Sequence, residues 1–206
     1  MSTTATRSRE NTRARLLEAA TQVFAEVGLE GATVEAVCER AGFTRGAFYS
    51  NFASKDELFL MLAASVSAER LQAVRERVEE LTAGGGLEAE CDASTLVQQV
   101  MDAGSDDRLG VMLLSEIRIR ALRDEAFGKA YLVQEEEMVA GIARIITDVV
   151  DTGKMTLRVS PEFAARSLLV MWEGMTVRGA MAGEDAASLR QTGSAALAQM
   201  VELLLG

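Results

Sequence analysis

The chain is predicted to be all-α. Apolar residues recur at helical spacing in almost every segment, no stretch keeps the alternation of a half-buried strand, and a single Pro serves 206 residues. Hydrophobic residues make up 49% of the chain but aromatics only 5%, so the core rests on Leu, Val, Ala, Ile and ten Met. That length suits one large domain or two small ones.

The first helix is expected from about Asn11 to Val27, with Leu16, Ala20, Val23, Phe24 and Val27 on one face and Gly28 as a left-handed cap. Thr33 is a good N-cap for a second helix whose buried stripe is Val34, Val37, Cys38 and Ala41. A break at Gly42–Thr44 follows, and Thr44 caps a third short helix that turns Ala47, Phe48 and Phe52 inward. Two short helices across a tight Gly-containing turn make a helix-turn-helix, whose second helix can enter a DNA major groove.

Ser54 and Glu57 have the form of a capping box and open a fourth helix. Leu58, Phe59, Leu62, Val66, Val74, Val78 and Leu81 carry it to about Thr82. Residues 83–94, with a Gly run, read as a flexible linker rather than a phosphate loop, because no strand precedes it and no Gly-Lys-Ser/Thr follows. Further helices are expected at Ser94–Ala103, Ser105–Leu122 and Asp124–Asp151, then from Pro161, capped by Ser160, to Ala182, and from Asp185 to Leu205. The total is about nine helices. A compact N-terminal unit, residues 1–53, precedes a helical bundle, residues 54–206.

Composition excludes much. There is no His, which removes His-based nucleophile activation, general bases and metal ligands. Cys38 and Cys91 match no ligand or redox spacing, and Cys38 reads as a small core residue in a reducing compartment. No catalytic residue, metal or cofactor is expected. The N-terminus lacks the apolar stretch of a secretory signal, and no apolar run approaches the ~18 residues of a membrane span. A cytoplasmic protein without membrane association is therefore expected. The formal net charge of −10 argues against nucleic acid on its face. Yet Arg7, Arg9, Arg13 and Arg15 stand against Glu10 near the N-terminus, and binding depends on the cations that meet phosphate, not on the total. This cluster reads as a partly disordered basic arm on phosphate or in the minor groove, or as a solvated tail.

The N-terminal residues resemble the TetR family of bacterial transcriptional regulators. The matching elements are Leu16–Ala20, Phe24, Gly28, Thr33-Val34, Ala41-Gly42, Thr44-Arg45-Gly46, Phe48-Tyr49, Asn51-Phe52 and Lys55-Asp56-Glu57-Leu58. The resemblance covers roughly the first third of the chain. It implies an all-α homodimer with a DNA-binding head and a ligand-binding body, released from a near-palindromic double-stranded operator by a small-molecule effector. Many members carry His where Asn51 stands; an amide still donates to phosphate but does not titrate.

For DNA, the expected contacts are Thr33, Thr44, Arg45, Gly46, Tyr49, Asn51 and Lys55. The Arg45 fork suits guanine, with a phosphate contact or a solvated guanidinium as the alternatives. Thr44 caps its helix and can touch phosphate or a thymine methyl, and Gly46 allows close approach to the duplex. Tyr49 suits phosphate unless it is core, whereas Phe48 and Phe52 read as core. Lys55 opposes the dipole at its helix start, which favours a phosphate contact, and Thr33 offers a phosphate clamp.

In the body, Met112, Met138, Met171, Trp172 and Met175 could line an apolar pocket or simply pack, and Glu116 or the Glu135–Glu137 run could face a cation or stay solvated. Gly174 and Gly179 would admit a partner helix. With Ala196, Leu197, Val201 and Leu204 they make the last two helices the expected dimer interface. The expected function is a ligand-responsive, sequence-specific DNA-binding regulator, a repressor by preference. The rivals are an activator, and a helical small-molecule carrier or enzyme with a vestigial helix-turn-helix.

Overall fold

The structure is a computed structural model and describes residues 2–83, 97, 108–153 and 155–206. Among these it forms eight helices: α1 (Ser2–Gly31), α2 (Val34–Ala41), α3 (Arg45–Tyr49), α4 (Lys55–Ala83), α5 (Arg108–Arg123), α6 (Glu125–Asp151), α7 (Pro161–Ala182) and α8 (Ala186–Leu204). The expected helix at Ser94–Ala103, apart from Val97, lies outside the described residues, as do most of the linker and Cys91. No described helix is long and apolar enough to cross a membrane.

The chain forms two compact units, and neither border falls after Ala53 as expected. The first comprises Met1–Ser65 with Leu113–Tyr131, and the second Val66–Met112 with Leu132–Gly206. Local patterns end where helices end, but packing does not. Leu58, Phe59, Leu62 and Ala63 at the start of α4 and Ile117 in α5 are buried side chains of the first unit. A break in sequence pattern carries no information about a return of the chain some fifty residues later.

In the first unit, α1 starts at Ser2, so the expected basic arm is helical instead. Leu16, Ala20, Val23 and Phe24 are buried as the periodicity requires, but Val27 is exposed. The helical path breaks at Gly28, whose φ of 70° and ψ of 178° lie outside the left-handed helical basin expected for a cap. That region is essentially restricted to Gly. Thr33 caps α2, accepting from the Ala36 N–H at 3.2 Å, and Gly42 ends it at φ 71°. Thr44 caps α3 in the same way through the Ala47 N–H, also at 3.2 Å. Phe48 and Phe52 are both buried, their ring centroids 5.5 Å apart, and anchor α3 in the core. Ser54 accepts from the Glu57 N–H at 3.0 Å, while the Glu57 carboxylate accepts from the Ala53 N–H at 2.5 Å, which closes the box one residue earlier than its usual form.

In the second unit, Ser160 caps α7 with Pro161 at the first turn, and Asp185 caps α8. A Cβ at Gly179 would collide with the buried Leu189, so this small residue lets α7 and α8 of the same chain approach closely. An isolated antiparallel bridge joins Leu157 to Leu205, and the Arg158 N–H donates to the Leu204 carbonyl at 2.9 Å. Val139, Ala143, Ala165 and Leu169 form a buried cluster with Met138, Ile142, Ile146 and Trp172 packed against it.

Candidate nucleic-acid interface and an apolar cavity

Helix α3 has one buried and one open side. Phe48 faces the core, while Thr44, Arg45, Gly46 and Tyr49 are exposed. A Cβ at Gly46 would meet nothing nearer than the Thr44 hydroxyl at 3.7 Å, so the space over this residue is open to an incoming surface. Arg45 is 63% exposed and pairs with Glu35 of α2 at 2.8 Å. Its guanidinium also lies 6.0 Å from the Tyr49 ring centroid. Exposed ion pairs are worth about 0–1 kcal/mol, so Arg45 can exchange Glu35 for another acceptor at little cost. Glu35 escaped the sequence reading as a partner; its place two residues after the Thr33 cap marked only a favourable first turn.

Two of the expected contacts point elsewhere. Asn51 is buried, and its amide donates to the Ala47 carbonyl at 2.8 Å, while its Oδ1 is buried without a hydrogen-bond partner. It closes α3 from within rather than presenting a donor. Lys55 is half-buried and donates to the Leu29 carbonyl at 3.0 Å. The N–H of the same Leu29 donates to Glu116 at 2.6 Å. Leu29 is buried just after the break at Gly28, so its two backbone polar groups need partners and obtain them from Lys55 and Glu116.

The basic cluster also has a local use. Arg15 donates to the Ala41 carbonyl, Arg9 to the Ser50 carbonyl and Arg13 to the Asn51 carbonyl, each at 3.0 Å. Arg13 and Arg15 lie over the rings of Phe52 and Phe43, both at 4.8 Å. Arg15 thus meets the last carbonyl of α2 and Arg9 the C-cap carbonyl of α3, helix ends where a cation is favoured, and Arg13 meets the carbonyl one residue further on. The Arg7 side chain is outside the described residues.

Cys38 is buried, as expected of a core residue, and burial pushes its thiol up from the ordinary range, with the Glu35 charge adding to the effect. No group of three His, Cys, Asp or Glu that could hold a metal exists among the described residues.

The second unit contains a cavity of about 260 Å³ with an almost wholly aliphatic wall. Met138 and Trp172 line it, but Met112, Met171 and Met175 do not, and Glu116 belongs to the other unit. Leu197, Val201 and Leu204, expected at a dimer interface, line the cavity instead. Periodicity finds two apolar faces on α8 without saying which one meets its own chain. The face that looks outward carries Leu203, 71% exposed, in register with Ala196. On α7, Phe163, Val170, Gly174 and Met181 repeat at helical spacing and are all exposed. Arg70 lines the cavity too, 4.6 Å from the Trp172 ring centroid. The signal for it was present in the sequence: Leu62, Val66, Val74 and Val78 recur every fourth residue, and Arg70 fills the gap.

The first unit thus carries a helix-turn-helix with one open side, and the second unit holds an apolar cavity. Residues 16–62 match the family described as bacterial regulatory proteins, tetR family. Over those residues the chain resembles the TetR family. It is 44% identical over 66 residues to the HTH-type transcriptional repressor AcnR of Corynebacterium efficiens, a stretch covering 32% of this chain and 35% of AcnR. The chain thus matches only about a third of the length of such relatives. Over nearly the whole chain the fold is that of a TetR transcription regulator from Haloarcula marismortui, with a TM-score of 0.73 and 18% identity across 96% of this chain and 100% of that one. Salmonella enterica GusR has a TM-score of 0.68 and 22% identity across 93% of this chain and 96% of its own.

Proposed function

We propose that this protein is a sequence-specific DNA-binding transcriptional regulator that acts as a homodimer, represses from a near-palindromic operator and is released by a small hydrophobic effector. The observation that carries the reading is the open side of α3, where Arg45 and Tyr49 stand exposed over a Phe48 anchor and Gly46 leaves room for close approach. Arg45 reads a base edge, and the Tyr49 hydroxyl with the helix starts at Thr33 and Thr44 holds phosphate. The exposed apolar stripes of α7 and α8 supply the surface for a second copy. The cavity supplies the effector site, and an effector acts only if it binds the released state more tightly than the DNA-bound one.

The direct test is fluorescence anisotropy of the purified protein with the duplex upstream of its own gene and with a scrambled duplex of equal length, over a series of salt concentrations. The expected result is preference for the upstream duplex and a log-linear fall of affinity with salt, the signature of released counterions. Weak binding that is equal on both duplexes would refute the reading.

A further inference from the structure

We infer that Glu35 of α2 is a specificity-determining residue of the nucleic-acid interface: by holding the Arg45 guanidinium, it makes that side chain selective for a neutral base edge over a phosphate. The inference rests on the DNA-binding reading of α3, and it adds how that surface tells sequence from backbone. Glu35 acts through Arg45 and is in that sense a positioning residue.

Two helix starts make the geometry. Thr33 caps α2, so Glu35 stands in its first turn, where a carboxylate suits the helix dipole. Thr44 caps α3 and puts Arg45 at the first position of that helix. Across the turn at Gly42, Glu35 Oε1 meets Arg45 Nη1 at 2.8 Å. The pair lies on the open side of α3. Its side chains are 59% and 63% exposed, and the guanidinium stands 6.0 Å from the centroid of the exposed Tyr49 ring. Gly46, the next residue, leaves the approach open. Any surface that meets Arg45 therefore meets Glu35 as well.

An Arg without a counter-charge takes phosphates and base edges alike, and phosphates line every step of a duplex. Pairing changes that preference. The carboxylate cancels the charge that would draw Arg45 to the backbone. If Arg45 moves onto a phosphate, Glu35 is left beside a second anion. Two unit charges about 4 Å apart repel, even in water, by the equivalent of about a fivefold change in affinity. Guanine O6 and N7 are neutral acceptors and bring no such repulsion. The donor fork survives the pairing, because Glu35 meets one nitrogen while a guanidinium carries five N–H donors. Glu35 thus removes charge from the Arg45 contact and leaves its directional hydrogen bonding.

Anisotropy titrations with the upstream duplex and its scrambled counterpart, over a series of salt concentrations, compare the parent with Glu35→Gln, Glu39→Gln, Arg45→Ala and the double variant of Glu35→Gln with Arg45→Ala. Glu35→Gln should bind the scrambled duplex about fivefold more tightly than the parent does, with a salt slope steeper by about one ion. The upstream duplex should gain less, so the affinity ratio of the two duplexes falls. Glu39 is exposed one turn further along α2, and Glu39→Gln removes the same charge there. It should leave the ratio near that of the parent. With Arg45→Ala already in place, Glu35→Gln should no longer change the ratio. A purely structural role for Glu35 would not steepen the salt slope. A parent protein that binds both duplexes equally would refute the DNA-binding reading, and this inference with it. A parent that discriminates, with a ratio unmoved by Glu35→Gln, or lowered as much by Glu39→Gln or in the absence of Arg45, would overturn this inference alone. Loss of binding to both duplexes in Glu35→Gln would also overturn it, by making the carboxylate a structural group.

Discussion

Arg45 and Gly28 show how much single positions decide. Arg45 is exposed and held by a weak pair, which suits a residue that exchanges partners on reaching DNA. Arg45→Ala is expected to cost about 1–3 kcal/mol of operator binding and to narrow the gap between operator and scrambled duplex, read by anisotropy. Gly28 holds a backbone conformation that other residues rarely adopt, and a Cβ there would stand 3.4 Å from the Glu116 carboxylate. Gly28→Ala should therefore destabilise the protein by about 1–3 kcal/mol, measured as a lower urea midpoint. The same position was readable in the sequence as a helix end. That Lys55 and Glu116 grip the next residue was not, because Glu116 lies 87 positions from Leu29 and no local pattern spans that distance.

Elements are defined by their ends as much as by their faces. Asp185 begins α8 by accepting from the Ser188 N–H at 2.8 Å, and this hydrogen bond, aided by Arg190, holds its carboxyl below the ordinary value of 3.8. A carboxyl lowered in the folded state stabilises the fold fully above the ordinary value, and the contribution is lost as pH falls through the lower folded-state value. Asn caps nearly as well but does not titrate. Thermal melts from about pH 6 down to about pH 2.5 should show the parent losing its margin over Asp185→Asn as the solution is acidified below about 4. A margin independent of pH would show that the charge of Asp185 plays no part. The capping signals at Thr33, Thr44 and Ser160 with Pro161 were legible in the sequence, because a cap is made within three residues of chain, whereas Asp185 was expected only as the start of its helix.

For the whole molecule, the exposed stripe of α7 is the surface that the proposed dimer would bury. Phe163, Val170 and Met181 are 58%, 63% and 81% exposed, and Gly174 between them leaves room for another backbone. A charge in the middle of that stripe would be buried unpaired in a dimer and harmless in a monomer. Val170→Glu is expected to convert a dimer to a monomer in sedimentation velocity and to weaken operator binding, with helical content by circular dichroism unchanged. A dimer that survives the substitution would place the interface elsewhere.

The sequence by itself determined the helical class, the helix-turn-helix, the caps, and the burial of Phe48, Phe52 and Cys38, since each depends on neighbours within a few residues. Tertiary structure alone decided the rest: that Asn51 turns inward, that Arg9, Arg13 and Arg15 reach carbonyls at and just beyond helix ends, that Leu197, Val201 and Leu204 face a cavity while Leu203 faces out, and that Arg70 lines that cavity. Helical periodicity states that a face is apolar and leaves open what covers it. The covering is set by contacts between residues far apart along the chain.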